Sequence, residues 1–209
     1  MMSAYVKSLL AVTQELSQKG ITWAWSSEYS SHVADAREMT LNGGSENEIK
    51  NTSPFKGTVD YDKILWIDSD IAFTPEDVIK AYESDKDILS GAYLLANGEV
   101  TAYPKRLQAG YTYDDIIKME EPVQIYGAGF GFLCVKKGVF EKLSRPWFQQ
   151  VPVTMVDPET KEEFTFPIMG EDISWCERVH QAGFDVWLDP TIRLTHHKMM
   201  KLTWEGIRP

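Results

Sequence analysis

Ile64-Leu65-Trp66-Ile67-Asp68-Ser69-Asp70-Ile71 is the stretch from which the fold can be read. Four consecutive apolar residues with no polar alternation read as a strand buried on both faces, as in an α/β sheet. The run ends in two carboxylates one residue apart. They stand just past the carboxyl end of the strand, where open α/β sheets bind ligands. Hard carboxylate oxygens suit Mg²⁺ or Mn²⁺, and such cations in turn bind phosphates. The same residues also suit a plain turn whose Asp side chains cap the backbone.

On the carboxyl side, Thr74-Pro75-Glu76-Asp77 predicts a helix start, with a Thr cap, Pro at the first position and acids in the first turn. That helix runs to about Ser84. Strands are expected at Asp87–Tyr93, Thr101–Arg106, Gln124–Tyr126 and Leu133–Val135, with a helix over 137–143. Residues 151–167 read as a hairpin turning at Asp157-Pro158-Glu159-Thr160. A helix over 170–182 is stopped by Gly183, a strand follows at Val186–Leu188, and Asp189-Pro190 and Ile192–Thr195 come after it. On the amino side, apolar residues at helical spacing predict a helix over 4–19, capped by Ser3 and stopped by Gly20. A strand is expected at Ile21–Trp25, a helix over 31–41, and a polar loop over 42–57. Strands alternating with helices make the class α/β with a mixed sheet.

A chain of 209 residues fits one domain and needs no disulfide or metal staple to fold. Its 21 Lys plus Arg against 31 Asp plus Glu leave a formal charge of −10, which argues against a general nucleic-acid binder. A bound divalent cation could still reverse the local field for an anionic ligand. Seven Trp suggest stacking surfaces for sugars or bases, or equally a Trp-rich core. Cys134 and Cys176 read as free buried thiols of a reducing compartment. No apolar run approaches the ~20 residues of a membrane span, and no signal peptide is apparent, so a cytoplasmic protein is expected. Asn51-Thr52-Ser53 matches a glycosylation sequon, a motif frequent by chance.

Three further features carry chemistry. Gly170-Glu171-Asp172 opens a helix, and an ionised carboxylate there could serve as general base or simply match the helix dipole. His196-His197 offers imidazole ligands for a Mn²⁺-like ion, or is a solvated pair. Gly127-Ala128-Gly129-Phe130-Gly131 permits close approach of a ligand or of another part of the chain. It is no dinucleotide fingerprint, since a strand rather than a helix follows.

In this order, Ile64–Ile71, Gly127–Gly131, Gly170–Asp172, Trp187-Leu188-Asp189-Pro190 and His196 resemble the GT-A-fold glycosyltransferases, closest to short family-2-like proteins of phages, large viruses and bacteria. The resemblance extends from about Tyr5 to Lys198. It implies a single GT-A (Rossmann-like) domain over 1–209 with a mixed, mostly parallel sheet, an acceptor-side hairpin over 150–168 and a tail over 196–209. The activity implied is transfer of a sugar from a nucleotide diphosphate sugar to a glycan or other hydroxyl acceptor, with Mn²⁺ or Mg²⁺. If the source is viral, the site of action is the host cytoplasm.

On the same resemblance, Asp70 and His196 bind the metal, with His197 an alternative, and Asp68 touches the ribose or the metal. Asp172 matches the general base of inverting members, and Glu171 contacts the acceptor or supports the site. Arg37, in Ser31–Arg37, lies near the nucleotide, with Glu38 standing where Asn is usual. Tyr93 and Lys105 line the donor side. Gly129, Phe130 and Trp175 line the acceptor side, with Trp147 and Phe148 as further stacking candidates. GT-A domains usually begin with a strand inside the sheet. Met1-Met2-Ser3 corresponds to the loop after it, so about ten residues are expected to be lacking, with either a gap beside Ile64–Ile67 or a true start codon upstream of Met1. Two competing readings are a catalytically silent nucleotide-sugar or glycan binder, and a haloacid-dehalogenase-type phosphatase with Asp68 as nucleophile.

Overall fold

The computed structural model describes residues 3–43, 53–106, 108–156, 160–166, 169–198, 201–203 and 206–208. Asn51 and Thr52 of the sequon and the turn residues Asp157–Glu159 lie outside them. The helices are α1 (Ser3–Gln18), α2 (Val33–Asn42), α3 (Pro75–Glu83), α4 (Tyr113–Ile116), α5 (Val139–Lys142) and α6 (Glu171–Gln181). The strands are β1 (Lys63–Ile67), β2 (Ile71–Ala72), β3 (Ile88–Ala92), β4 (Ala102–Tyr103), β5 (Val123–Ile125), β6 (Gly127–Ala128) and β7 (Phe132–Lys136). They continue with β8 (Val153–Val156), β9 (Glu163–Phe166), β10 (Val186–Arg193), β11 (Thr195–His196), β12 (Lys201–Thr203) and β13 (Gly206–Arg208). The chain forms two compact units. One comprises Met1–Ala24, Lys63–Lys136 and Asp185–Pro209, and the other Trp25–Asp62 and Lys137–Phe184. Among the described residues no helix is long and apolar enough to cross a membrane.

The first unit is built on a mixed five-stranded sheet in the order β1-β7-β3-β10-β5, flanked by helices, a Rossmann-like arrangement. Among the described residues only β3 and β10 pair in parallel, because β7 enters antiparallel between β1 and β3 and β5 runs antiparallel to β10. The expected mostly parallel sheet is therefore corrected: β1, β3 and β10 share a direction, but most neighbours do not. The apolar run Ile64–Ile67 is a strand, yet its residues are half-buried rather than buried on both faces. The cause is its place at the edge, where among the described residues only β7 pairs with it. Ile21–Trp25, expected as a strand, has no regular structure.

Helix α3 starts as its sequence dictates. The Thr74 hydroxyl accepts from the Asp77 N–H, and the Asp77 carboxylate accepts from the Thr74 N–H, a reciprocal capping box. Its Val78 and Ala81 join Tyr5, Val12 and Leu16 of α1 and Leu89, Phe132 and Ile192 of the sheet in one apolar core. The strand expected over Val186–Leu188 continues across Asp189-Pro190 to Arg193, with a shifted register there. The Asp189 carboxylate accepts from the Thr191 N–H and hydroxyl and holds the irregularity.

The glycine run is explained by packing. Tyr93 is buried, and its hydroxyl accepts from the Gly131 N–H at 3.0 Å. A Cβ at Gly131 would fall 2.5 Å from the Tyr93 ring, and one at Gly129 would fall 2.3 Å from its hydroxyl. Both glycines thus leave room for one buried phenol. Gly131→Ala is expected to cost about 1–3 kcal/mol, the range of an overpacked core, read as a lower thermal midpoint; an unchanged midpoint would contradict this packing.

The second unit contains α2, α5, α6 and the β8–β9 hairpin, the last as expected from sequence. Its core gathers Phe140, Trp147, Phe148 and Trp175, with ring centroids 5.3–6.4 Å apart. The Trp147 indole N–H donates to the Phe140 carbonyl at 3.1 Å. Arg178 of α6 donates to the carbonyls of Pro146 and Trp147, fastening the loop before the hairpin. Cys134 in the first unit and Cys176 in the second are buried thiols outside any disulfide, as expected.

Candidate functional site

The Asp68-Ser69-Asp70 segment follows β1 directly. The Asp68 N–H donates to the Gly131 carbonyl, and the Ile71 N–H returns to the Asp68 carbonyl at 3.0 Å, closing a tight turn. Strand β2 leaves that turn and pairs antiparallel with β11, setting Ile71 opposite His196. The His197 N–H donates to the Asp70 carbonyl at 2.8 Å and extends this short ladder. Backbone pairing therefore delivers a residue near the end of the chain to the carboxyl end of β1.

The result is a small polar cluster. His196 Nε2 lies 3.2 Å from Asp70 Oδ2, and His196 Nδ1 lies 2.7 Å from the Leu94 carbonyl. A carbonyl only accepts, so Nδ1 donates to it, and the Nε2 edge of the ring faces the carboxylate. This is the arrangement of a metal-binding imidazole whose second nitrogen is anchored by an acceptor. The Tyr93 ring meets the imidazole edge-on at 5.3 Å and helps fix its plane. Lys198 Nζ lies 3.1 Å from the same Oδ2. The His196 side chain is 7% exposed and that of Asp70 31%, so the ring is held while the carboxylate remains reachable. Among the described residues no group of three or more His, Cys, Asp or Glu is placed to hold a metal ion. A carboxylate oxygen with an imidazole nitrogen nevertheless fits a cation of the Mn²⁺ type that takes its remaining ligands from phosphate and water.

A second cluster belongs to the other unit, at the start of α6. Arg37 Nη1 of α2 lies 2.7 Å from Glu171 Oε1, a largely buried ion pair. Asp172 Oδ1 accepts from the Ile173 N–H at 2.8 Å. Burial pushes the Asp172 carboxyl above the ordinary aspartate value and the Glu171 charge adds to this, while Arg37 and backbone N–H groups oppose it. A carboxylate made more basic in this way is suited to take a proton from a hydroxyl. Next to Arg37, Glu38 accepts from Arg145 Nε at 2.8 Å and from the Trp147 N–H at 2.8 Å. Glu38 is thus a structural anchor of the second unit.

No protein-family model matches the chain, and no curated protein matches it. A viral protein, A197 from STIV, shares its fold. The two are 19% identical, the match covers 94% of this chain and 84% of A197, and the TM-score is 0.55. At that identity the likeness to A197 concerns the fold alone.

The structure brings Asp70 and His196 together, and of the two neighbouring histidines it is His196 whose ring reaches Asp70. Asp68 begins the same turn and is exposed. Glu171 and Asp172 are adjacent at the start of α6, where Arg37 binds Glu171. Lys105 is exposed beyond β4, whereas Tyr93 lies under the glycine run beside His196. The expectation of Trp147, Phe148 and Trp175 as stacking faces, and of Phe130 on the acceptor side, is corrected: each is at most 2% exposed and packs in a core. Gly129 is likewise buried, its N–H donating to the Thr101 carbonyl. Sequence reading overlooked Lys198. Its signal was its spacing of two from His196, the period that returns side chains to one face of an extended chain. The Leu94 carbonyl, a backbone group, had no signal at all.

Proposed function

We propose that this chain is a divalent-cation-dependent glycosyltransferase of the GT-A type, moving a sugar from a nucleotide diphosphate sugar to an acceptor hydroxyl. The observation that carries the reading is the Asp70–His196 pair at the carboxyl end of β1, with the imidazole ring held by the Leu94 carbonyl. Support comes also from the order of the sequence motifs and from the likeness to A197, whose fold is glycosyltransferase-like. Asp70 and His196 would hold Mn²⁺ or Mg²⁺, with Asp68 toward the ribose or the cation. The cation supplies charge neutralisation for the diphosphate leaving group. Asp172 takes the acceptor hydroxyl proton, and Glu171 holds Asp172 basic while Arg37 holds Glu171 in place.

The binding half of this reading is tested by calorimetry with a nucleoside diphosphate, with and without Mn²⁺. Mn²⁺-dependent binding is expected for the wild type and its loss for His196→Ala. Binding that ignores both Mn²⁺ and His196 would contradict the assignment.

A further inference from the structure

Lys198 stands in the Asp70 cluster with no part in the roles above. Its ammonium lies 3.1 Å from Asp70 Oδ2, the same oxygen that faces His196 Nε2 at 3.2 Å. The Asp70 carboxylate is an anionic group whose Oδ2 lies within reach of two nitrogens, and a positive charge nearby balances it. Lys198 provides that charge. Its side chain is 49% exposed, so it is not locked in place by packing.

We propose that Lys198 is the resident counter-cation of Asp70, and that a divalent cation entering the cluster displaces it onto the diphosphate of the donor. The inference rests on the cation-binding reading of Asp70 and His196. Two positive centres at contact distance on one carboxylate oxygen repel each other strongly in a partly desolvated site. Divalent-cation binding therefore carries the cost of removing the ammonium from Asp70. A diphosphate arriving with the cation supplies new anionic oxygens for the freed Lys198. The consequence is thermodynamic coupling: the cation alone binds weakly, the cation and the nucleoside diphosphate strengthen each other, and Lys198 carries part of that linkage. Discrimination follows as well, because a cation without its nucleotide is held back.

The experiment is a Mn²⁺ titration, followed by the electron paramagnetic resonance of free Mn²⁺, alone and with UDP or GDP. The proteins are the wild type, Lys198→Met, Lys198→Arg and Asp70→Ala. Lys198→Met is expected to bind Mn²⁺ alone about fivefold or more tightly than the wild type, with a matching loss of the nucleotide's enhancement, within the usual range of coupling between sites. Lys198→Arg keeps the cation and is expected to stay near the wild type, and Asp70→Ala to lose Mn²⁺ binding. Equal or weaker Mn²⁺ binding by Lys198→Met overturns the role of Lys198 and leaves the glycosyltransferase reading standing. If neither the wild type nor Lys198→Met binds Mn²⁺, both readings fall. If Lys198→Met behaves as expected but no donor is turned over, the glycosyltransferase reading alone is contradicted.

Discussion

Glu38→Ala is expected to destabilise the second unit by about 3–5 kcal/mol, the usual cost of removing one partner from a buried ion pair. The Arg145 side chain is 1% exposed and that of Glu38 9%, so the guanidinium deprived of this carboxylate would stay out of reach of water. The same carboxylate also accepts from the Trp147 and Phe148 N–H groups, which lose their acceptor together. Arg145 keeps its bond to the Asn42 side chain, an amide that cannot replace the lost charge. For a chain of this size the loss corresponds to a fall of roughly 6–20 °C in the thermal midpoint. Glu38→Gln retains an acceptor oxygen and is expected to lose less. A Glu38→Ala midpoint within about 2 °C of the wild type would show that the pair does not hold the unit together.

Asp172→Asn is expected to lower turnover by about 10²–10⁴-fold, the range for removal of a general base, while Mn²⁺-dependent nucleotide binding is kept. The amide can still accept from the Ile173 N–H, so the start of α6 is preserved. In the wild type the base must be ionised to act. Its carboxyl is raised first by burial and then by Glu171, so activity is lost as the pH falls through a value above the ordinary aspartate range. Glu171→Gln removes the raising charge and leaves Arg37, which acts the other way, and so moves that acidic limb to lower pH. A pH–rate profile of the two proteins checks this. An acidic limb unmoved by Glu171→Gln, or full activity in Asp172→Asn, would remove Asp172 from the role of base.

Much of this arrangement could be read from residue patterns because local rules and the fold agree. Thr74-Pro75-Glu76-Asp77 carries its own cap, the apolar spacing of residues 4–19 fixes α1, and the Gly170-Glu171-Asp172 start and Gly183 stop bound α6. What could not be read depends on neighbours. An apolar run such as Ile64–Ile67 gives no sign of whether it lies at the centre or the edge of a sheet, and here it is an edge. Ile21–Trp25 has the alternation of a strand, but a strand exists only beside a partner, and none pairs with it among the described residues. Glycines at 129 and 131 suit a ligand or a packed ring equally well, and only the position of Tyr93 separates the two. The Trp and Phe residues assigned to sugar stacking were placed by type, and burial decided against them. Within the site, Asp70 and His196 were legible as separate motifs. Their meeting depends on the β2–β11 ladder, which two-residue strands do not announce.

The central claim is Mn²⁺-dependent glycosyl transfer organised by Asp70, and the most direct measurement is nucleotide release from a panel of nucleotide diphosphate sugars. The account predicts release from at least one donor with Mn²⁺, abolished by a chelator and by Asp70→Ala. Release that persists in Asp70→Ala, or Mn²⁺-dependent binding of every donor with no release from any acceptor mixture, would contradict it.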